Sequence, residues 1–360
     1  MIRIAIVGLG QVGKSTLFRI LTRAHGAQAA SKTETHVGVV PVPDTRLDRL
    51  SAMYNPKKTV HASIEYLDAP GSVIDLLRTG TRASASVKEV DALAHVVRAF
   101  RNEAVPAPSG EVNPKSDVET TDLELILSDL AVIEKRIERL AKDAKKQKNP
   151  TLEKELQVVE KCKETLEKQI PLRQVEFSPE EEKLIRGFTF LSQKPVVYVM
   201  NLDEADAART EAADQFAGEM GLARKPRTAV TAVCGKVEAE MAELSDAEAA
   251  EFMESYGLKE SAISRFIRTG YRLLDLISFF TVGEDECRAW TIRAASTALE
   301  AAGEIHSDIQ KGFIRAEVVA YDDLVSDGSL AEARAHGRLK LEGKEYVVHD
   351  GEVVHFRHSG

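Results

Sequence analysis

Met1-Ile2-Arg3-Ile4-Ala5-Ile6-Val7-Gly8-Leu9-Gly10-Gln11-Val12-Gly13-Lys14-Ser15-Thr16-Leu17-Phe18 opens the chain. Ile2 to Val7 is a short apolar, largely β-branched run that stops at a glycine, the pattern of a strand buried on both faces of a parallel sheet. Gly8 to Ser15 then satisfies G-x-x-x-x-G-K-[ST], and an apolar helix start follows. Each residue type in this spacing has a physical task. The glycines let main-chain N–H groups turn inward around a phosphate chain, and the helix starting near Lys14 adds its positive end. Lys14 reaches the β- and γ-phosphates, and the Ser15 hydroxyl is a ligand for Mg²⁺. Gly10, Gln11, Val12, Gly13 and Thr16 complete the candidate phosphate cradle.

Gly8-Leu9-Gly10-Gln11-Val12-Gly13 also satisfies G-x-G-x-x-G, the dinucleotide fingerprint. Two features weigh against that alternative. A dinucleotide unit places an acidic residue at the end of a second strand about 20 residues further on. Here Ala27–Thr35 is small and polar, with no strand leading to Glu34. The Gly-Lys-Ser-Thr ending has no task in a dinucleotide site and several in a phosphate–Mg²⁺ site.

The remainder of the chain fits a cytoplasmic enzyme or binding protein better than a membrane or coating protein. Its 360 residues suffice for two or three domains, and 43% hydrophobic with 29% charged residues is an ordinary globular balance. No run is long enough to cross a bilayer, and Met1 leads directly into the first strand, so no signal peptide is expected. The net charge of -9 argues against a general nucleic-acid coat. Cys162, Cys234 and Cys287 are widely spaced and read as structural thiols.

Further along, Val37–Val42 and Thr59–Leu67 read as strands, separated by a helical spacing over Asp44–Tyr54. The second strand closes on Asp68-Ala69-Pro70-Gly71, a D-x-x-G in which the carboxylate would serve the Mg²⁺ shell and the Gly71 N–H the γ-phosphate. Thr33 lies in the preceding polar loop as a further candidate Mg²⁺ ligand. Asp91–Phe100 reads as a buried strand, followed by a Pro- and Gly-rich excursion over Asn102–Val118. Leu123, Ile126, Leu130, Ile133, Ile137 and Leu140, then Leu152, Leu156, Val159, Leu166 and Ile170, recur at helical spacing on either side of the basic stretch Lys142–Pro150. That pattern predicts an antiparallel coiled coil. Its basic tip could touch RNA, although a solvated hairpin end is the plainer reading. Lys194–Met200 returns as a strand and delivers Asn201-Leu202-Asp203-Glu204, and Thr228–Val233 delivers Cys234-Gly235-Lys236. Strands alternating with helices predict a parallel α/β domain whose ligand sits at the strands' carboxyl ends, and all of these candidates lie at such ends. The tail alternates at strand spacing over Phe279–Thr291, Phe313–Tyr321 and Leu339–Phe356, which predicts a small α+β domain.

Taken together, Val37–Leu50 (VGVVPVPDTRLDRL), the strand closing on Asp68, the N-x-x-E of Asn201–Glu204, and the tail stretches Ala289–Arg293, Ala301–Leu324 and Leu341–Arg357 resemble the Obg-like ATPase (YchF) family of P-loop NTPases along nearly the whole chain. The resemblance implies an α/β P-loop G domain over 1–120 and 190–276, a coiled-coil insertion over 121–189, and a ubiquitin-like TGS domain over 277–360. It implies Mg²⁺-dependent ATP binding with slow hydrolysis, and association with the ribosome or its RNA through the TGS domain and the coiled coil. A monomer is expected. Relatives in the wider class read guanine with N-K-x-D. Here Leu202 stands for the lysine and Glu204 carries the carboxylate on a longer arm, so guanine-matched geometry should be lost; the resemblance implies that adenine is accepted instead, with Cys234 and Gly235 at the edge of the base.

The chain also departs from that family. Gly10 and Gln11 replace a proline and an asparagine, and this asparagine helps hold a monovalent cation in potassium-stimulated relatives. Thr33 is the better counterpart of the switch I threonine, with Lys32 the literal alignment. After Gly71, Ser72 stands where Ras-like proteins place a water-orienting glutamine, and Cys234-Gly235-Lys236 replaces Ser-Ala-Lys. No residue is assigned as a catalytic base. Two functions therefore remain open: a slow ATPase, and a nucleotide-binding interaction module with little or no hydrolysis. GTP is the alternative ligand.

Overall fold

The computed structural model describes residues 2–22, 36–68, 71–73, 82–107, 110–144 and 149–359. In chain order the strands among them are β1 (Ile2–Val7), β2 (His36–Pro41), β3 (Lys58–Val60), β4 (Ser63–Asp68), β5 (Ala92–Ala99), β6 (Val196–Leu202), β7 (Thr228–Val233), β8 (Leu276–Thr281), β9 (Glu286–Arg293), β10 (Phe313–Ala320), β11 (Lys340–Glu342) and β12 (Glu352–His358). They form two sheets of six, ordered β2-β4-β1-β5-β6-β7 and β11-β10-β12-β8-β9-β3. The chain divides into two compact units, one of Met1–Val39 with Glu65–Leu273 and one of Val40–Ile64 with Leu274–Gly360.

In the first unit, β1, β5, β6 and β7 run parallel, with Ile6 opposite Ala94, Val97 opposite Met200 and Val199 opposite Thr231. All seven residues of β6 and seven of the eight in β5 are buried. This explains why these segments read as unbroken apolar runs: helices cover both faces of the sheet, so no alternation is selected. Each buried valine or leucine contributes about 1.5–3 kcal/mol over its exposed state. Because these strands are parallel, their carboxyl ends lie along one edge: the P-loop and Cys234 follow those ends, Arg98 and Asn201 lie at them, and Asp68 is the last residue of β4.

The insertion is a helical hairpin, Pro114–Ala144 and Pro150–Glu167. Asn149 caps the second helix by accepting from the Thr151 N–H at 2.9 Å, and Pro150 takes the first turn, where its missing N–H costs nothing. Ile126, Ile133, Val158, Val159, Cys162 and Leu166 form the apolar seam, and Arg136 spans the helices with a bidentate contact to Glu155 at 2.7 and 2.8 Å. The seam is shorter than the periodicity predicts, since Leu123 and Ile170 are 39% exposed. The first helix also begins at Pro114, ahead of the expected boundary at 121.

The second unit takes in residues 40–64, which the resemblance assigns to the G domain. Thr59–Leu67 is not one strand but two, in different sheets. After β3 the chain breaks at His61-Ala62, and β4 continues in the first sheet. β3 lies parallel to β9, with Thr59 opposite Cys287. The helix Thr45–Tyr54, capped by Asp44, belongs to the same unit. Its Arg46 bonds Asp44 at 2.8 Å and Asp350 at 2.7 Å and lies over the Phe280 ring. Asp350 also accepts the Ser278 N–H at 2.9 Å, so one carboxylate joins the inserted helix to β8. Phe279–Thr291 likewise resolves into an antiparallel pair, β8 and β9, packed with Phe313, Ala316, Val354 and Phe356. Cys162, Cys234 and Cys287 are free and buried.

Candidate functional site

The P-loop begins where β1 can no longer carry side chains. A Cβ on Gly8 would sit 2.5 Å from the Val96 carbonyl oxygen, and one on Gly13 would overlap the Asn201 amide. Both glycines have positive φ, 139° and 101°, so no other residue fits either place without strain. Gly10 faces open space, so a side chain there would meet nothing. Gln11 takes φ 61° without being glycine.

Lys14 is buried, and its ammonium donates to the Gly8 and Leu9 carbonyls at 2.9 and 2.6 Å. Burial lowers its pKa to about 8, while Asp68 and Glu124 pull in the opposite direction. Asp68 ends β4 and is itself buried. Burial raises its pKa, countered by a hydrogen bond with Ser15 and by the charges of Lys14 and His36. Ser15 and Asp68 are therefore adjacent hard oxygen donors at a helix N-terminus. That set fits Mg²⁺, an ion that keeps several waters and takes few protein ligands. Among the described residues no group of three or more His, Cys, Asp or Glu could hold a metal ion by itself. Gly71 is exposed with φ 77°, and Thr33 lies outside the described residues.

Asn201 joins three segments. Its Nδ2 donates to the Val12 carbonyl at 3.0 Å, and its Oδ1 accepts the Gly235 N–H at 3.1 Å. A Cβ on Gly235 would approach that Oδ1 to 3.2 Å and the Thr16 methyl to 3.7 Å. Beside it, Leu202 and Cys234 turn inward. Leu202 packs in the sheet core, and Cys234 packs against Ala207, Val237 and Leu258, which leaves main chain as what they can present to a ligand. Glu204 is the polar residue left at this end, and it is engaged: Lys236 donates to it and the Tyr256 hydroxyl donates at 3.0 Å. Both contacts hold its carboxyl below the usual range. Asp203 accepts the Arg101 N–H at 3.3 Å and points to the neighbouring loop.

Three participants escape a reading by motif. Tyr256 stands far from Glu204 in sequence with no pattern around it. Arg98, the single charge near the end of an otherwise apolar strand, is buried against main-chain carbonyls that include Gln11. Its solitary place in the run Ala92–Ala99 was the available signal. His95 lies under the P-loop, with its Cδ2 3.4 Å from where a Gly8 Cβ would be, and burial keeps it neutral with a pKa of about 4. It packs on Tyr198, whose hydroxyl meets Asp122 at 3.0 Å and receives Arg173 at 2.8 Å. Asp122 lies on the first helix of the hairpin, and Arg173 follows its second.

Comparison with known proteins places the chain in a family. Residues 3–150 match the family described as 50S ribosome-binding GTPase, and residues 276–359 match the YchF-type C-terminal family, described as a protein of unknown function (DUF933). The chain is 44% identical over 359 residues to the ribosome-binding ATPase YchF of Bacillus subtilis, covering 98% of each. It is 41% identical to that of Escherichia coli O157:H7, covering 98% of this chain and 97% of the relative. The solved YchF GTPase of Schizosaccharomyces pombe superposes with a TM-score of 0.83 at 30% identity, covering 99% of this chain and 97% of that one. The chain is a member of the YchF family, with a P-loop NTPase domain of the α/β class.

Proposed function

We propose that this protein binds ATP with Mg²⁺, hydrolyses it slowly at the β–γ bond, and uses the cycle in association with the ribosome. The observation that carries the reading is the convergence of Lys14, the Ser15–Asp68 pair and the Asn201 staple at the carboxyl ends of β1, β4 and β6. Lys14 supplies charge to the phosphates, and the P-loop amides and helix end supply aligned dipoles. Ser15 and Asp68 would hold Mg²⁺, which when bound offsets phosphate charge. Asn201 keeps the loop carrying Gly235 against the P-loop, and Glu204 meets the base edge, with ATP preferred over GTP. Relatives named ribosome-binding ATPases support the ribosome as partner. We assign this contact to the coiled coil and to a TGS-type C-terminal domain, in a cytoplasmic monomer. No helix among the described residues is long and apolar enough to cross a membrane.

Single-turnover hydrolysis of bound ATP, with Lys14→Ala as control and with and without ribosomes, tests the reading. Turnover that disappears in the variant supports an ATPase. Tight ATP binding without hydrolysis in either condition supports the second function, a nucleotide-gated binding module, which Ser72 in the water-orienting place favours.

A further inference from the structure

Among the described residues Arg98 and Arg173 are the largest fully buried side chains, and Arg98 is 1% exposed near the end of β5. Its Nη2 donates to the Val105 carbonyl at 2.6 Å, its Nη1 to Pro106 at 3.2 Å and to Gln11 at 3.4 Å, and its Nε to Phe100 at 3.2 Å. The Phe100 ring lies 4.4 Å from the guanidinium carbon. Enclosing a guanidinium among main-chain carbonyls carries a desolvation penalty that an apolar residue at the end of a buried strand would avoid, and the charge of the buried Asp117 carboxylate nearby offsets only part of it. What the arginine provides in return is visible at Gln11. That residue holds φ 61°, a left-handed conformation unusual outside glycine. A trans peptide sets its C=O and N–H in opposite directions. With the Gln11 carbonyl turned to Arg98, the Val12 N–H faces away from it. The next peptide is held the same way, because the Val12 carbonyl accepts from Asn201 at 3.0 Å and the Gly13 N–H faces away from that amide. Two side chains from neighbouring strands thus set two consecutive N–H directions in the P-loop.

We propose that Arg98 is a positioning residue for phosphate binding: by holding the Gln11 carbonyl against the Val105-Pro106 segment, it presents the Val12 N–H to the diphosphate of a bound nucleotide. The inference rests on the proposed nucleotide site. Arg98 touches no substrate itself and acts through the main chain.

The test uses Mg²⁺–ADP as probe on the full-length protein, with Arg98→Lys and Arg98→Gln. A lysine keeps the charge but cannot reach several carbonyls at once. Both variants are expected to lose ADP affinity by about tenfold or more, the scale of one charge-assisted bond, while the ratio of ADP to GDP affinity stays unchanged. A merely structural arginine would lower the melting temperature and leave the dissociation constant of the folded fraction where it was, and that result would overturn the proposal. A second readout needs no variant. Gln–Val pairs occur at Gln11–Val12, Gln157–Val158 and Gln174–Val175. Carbonyl-¹³C glutamine with ¹⁵N-valine therefore isolates the Val12 amide among three resonances. Mg²⁺–ADP should move the Val12 signal alone in the wild type, and the same signal should already be displaced in ligand-free Arg98→Lys. A Val12 resonance that ignores ADP in a protein shown calorimetrically to bind it sinks this inference while sparing the nucleotide site. A wild type that binds no ADP sinks both.

Discussion

The two ends of the proposed nucleotide site are built differently. At the phosphate end, Lys14, Asp68 and Arg98 are buried, and Lys14 and Arg98 are held by main-chain carbonyls. At the proposed base end, Leu202 and Cys234 withdraw into apolar cores, and Glu204 is a partly exposed side chain tied to Lys236 and Tyr256. A buried, prearranged group interacts in low dielectric and loses little on binding, whereas an exposed ion pair is screened and mobile. The phosphate end should therefore carry most of the affinity, and the base end only a modest preference.

The comparison is broken most directly at Lys14. Lys14→Ala should reduce single-turnover ATP hydrolysis by about 10²- to 10³-fold, the scale of one lost electrostatic stabiliser, without altering the ATP-to-GTP binding ratio. A changed ratio would mean the two ends are not separable. Asn201 links them, so Asn201→Ala should weaken both. It leaves the Val12 carbonyl and the Gly235 N–H without their partner, and urea denaturation should show a loss of about 1–3 kcal/mol. Glu204→Gln should shift the ATP-to-GTP ratio by no more than about fivefold in competition binding, with the unfolding midpoint unchanged. A shift of a hundredfold would show that the base end is as well arranged as the phosphate end.

Protonation sharpens the same contrast at smaller amplitude. Burial depresses the Lys14 pKa to about 8, below its ordinary 10.5. Phosphate brought beside it favours the charged form and raises that value. Nucleotide binding at pH 8 should then take up roughly half a proton at this lysine, falling towards zero by pH 6.5 where it is already charged. Calorimetry in two buffers of different ionisation enthalpy measures the uptake, and Lys14→Met should abolish it. The depressed value also fixes the sign for stability. The unfolded chain binds more protons between pH 8 and 10.5, so the penalty of burying this charge is present in full below pH 8 and is relieved as pH rises through that window.

Where sequence reasoning succeeded, the chemistry was local. Gly8 to Ser15 is legible because a phosphate cradle needs its glycines, lysine and hydroxyl at fixed short spacing, and β5 and β6 because burial on both faces leaves a continuous apolar run. It faltered where a long-range partner decided the outcome. Thr59–Leu67 has strand composition throughout, yet its division between two sheets depends on β9, which lies far along the chain. Leu202 at the lysine position was legible as a substitution, but its withdrawal into the core was not. Tyr256 and Arg98 lack a motif altogether, because a side chain that serves main-chain carbonyls or a distant carboxylate imposes no pattern on its neighbours.

The parallel sheet, the P-loop and the helical hairpin were legible in the chain because each is written in short-range periodicity or in residues whose backbone conformation is restricted, and the family was legible in long matched stretches. Only the tertiary structure decided that residues 40–64 belong with the C-terminal unit, that Asn201 staples Val12 to Gly235, and that Arg98 holds Gln11. The physical reason is the same in each case. A strand edge, an amide and a guanidinium can satisfy many partners, and only the packed chain selects which of them comes within bonding distance.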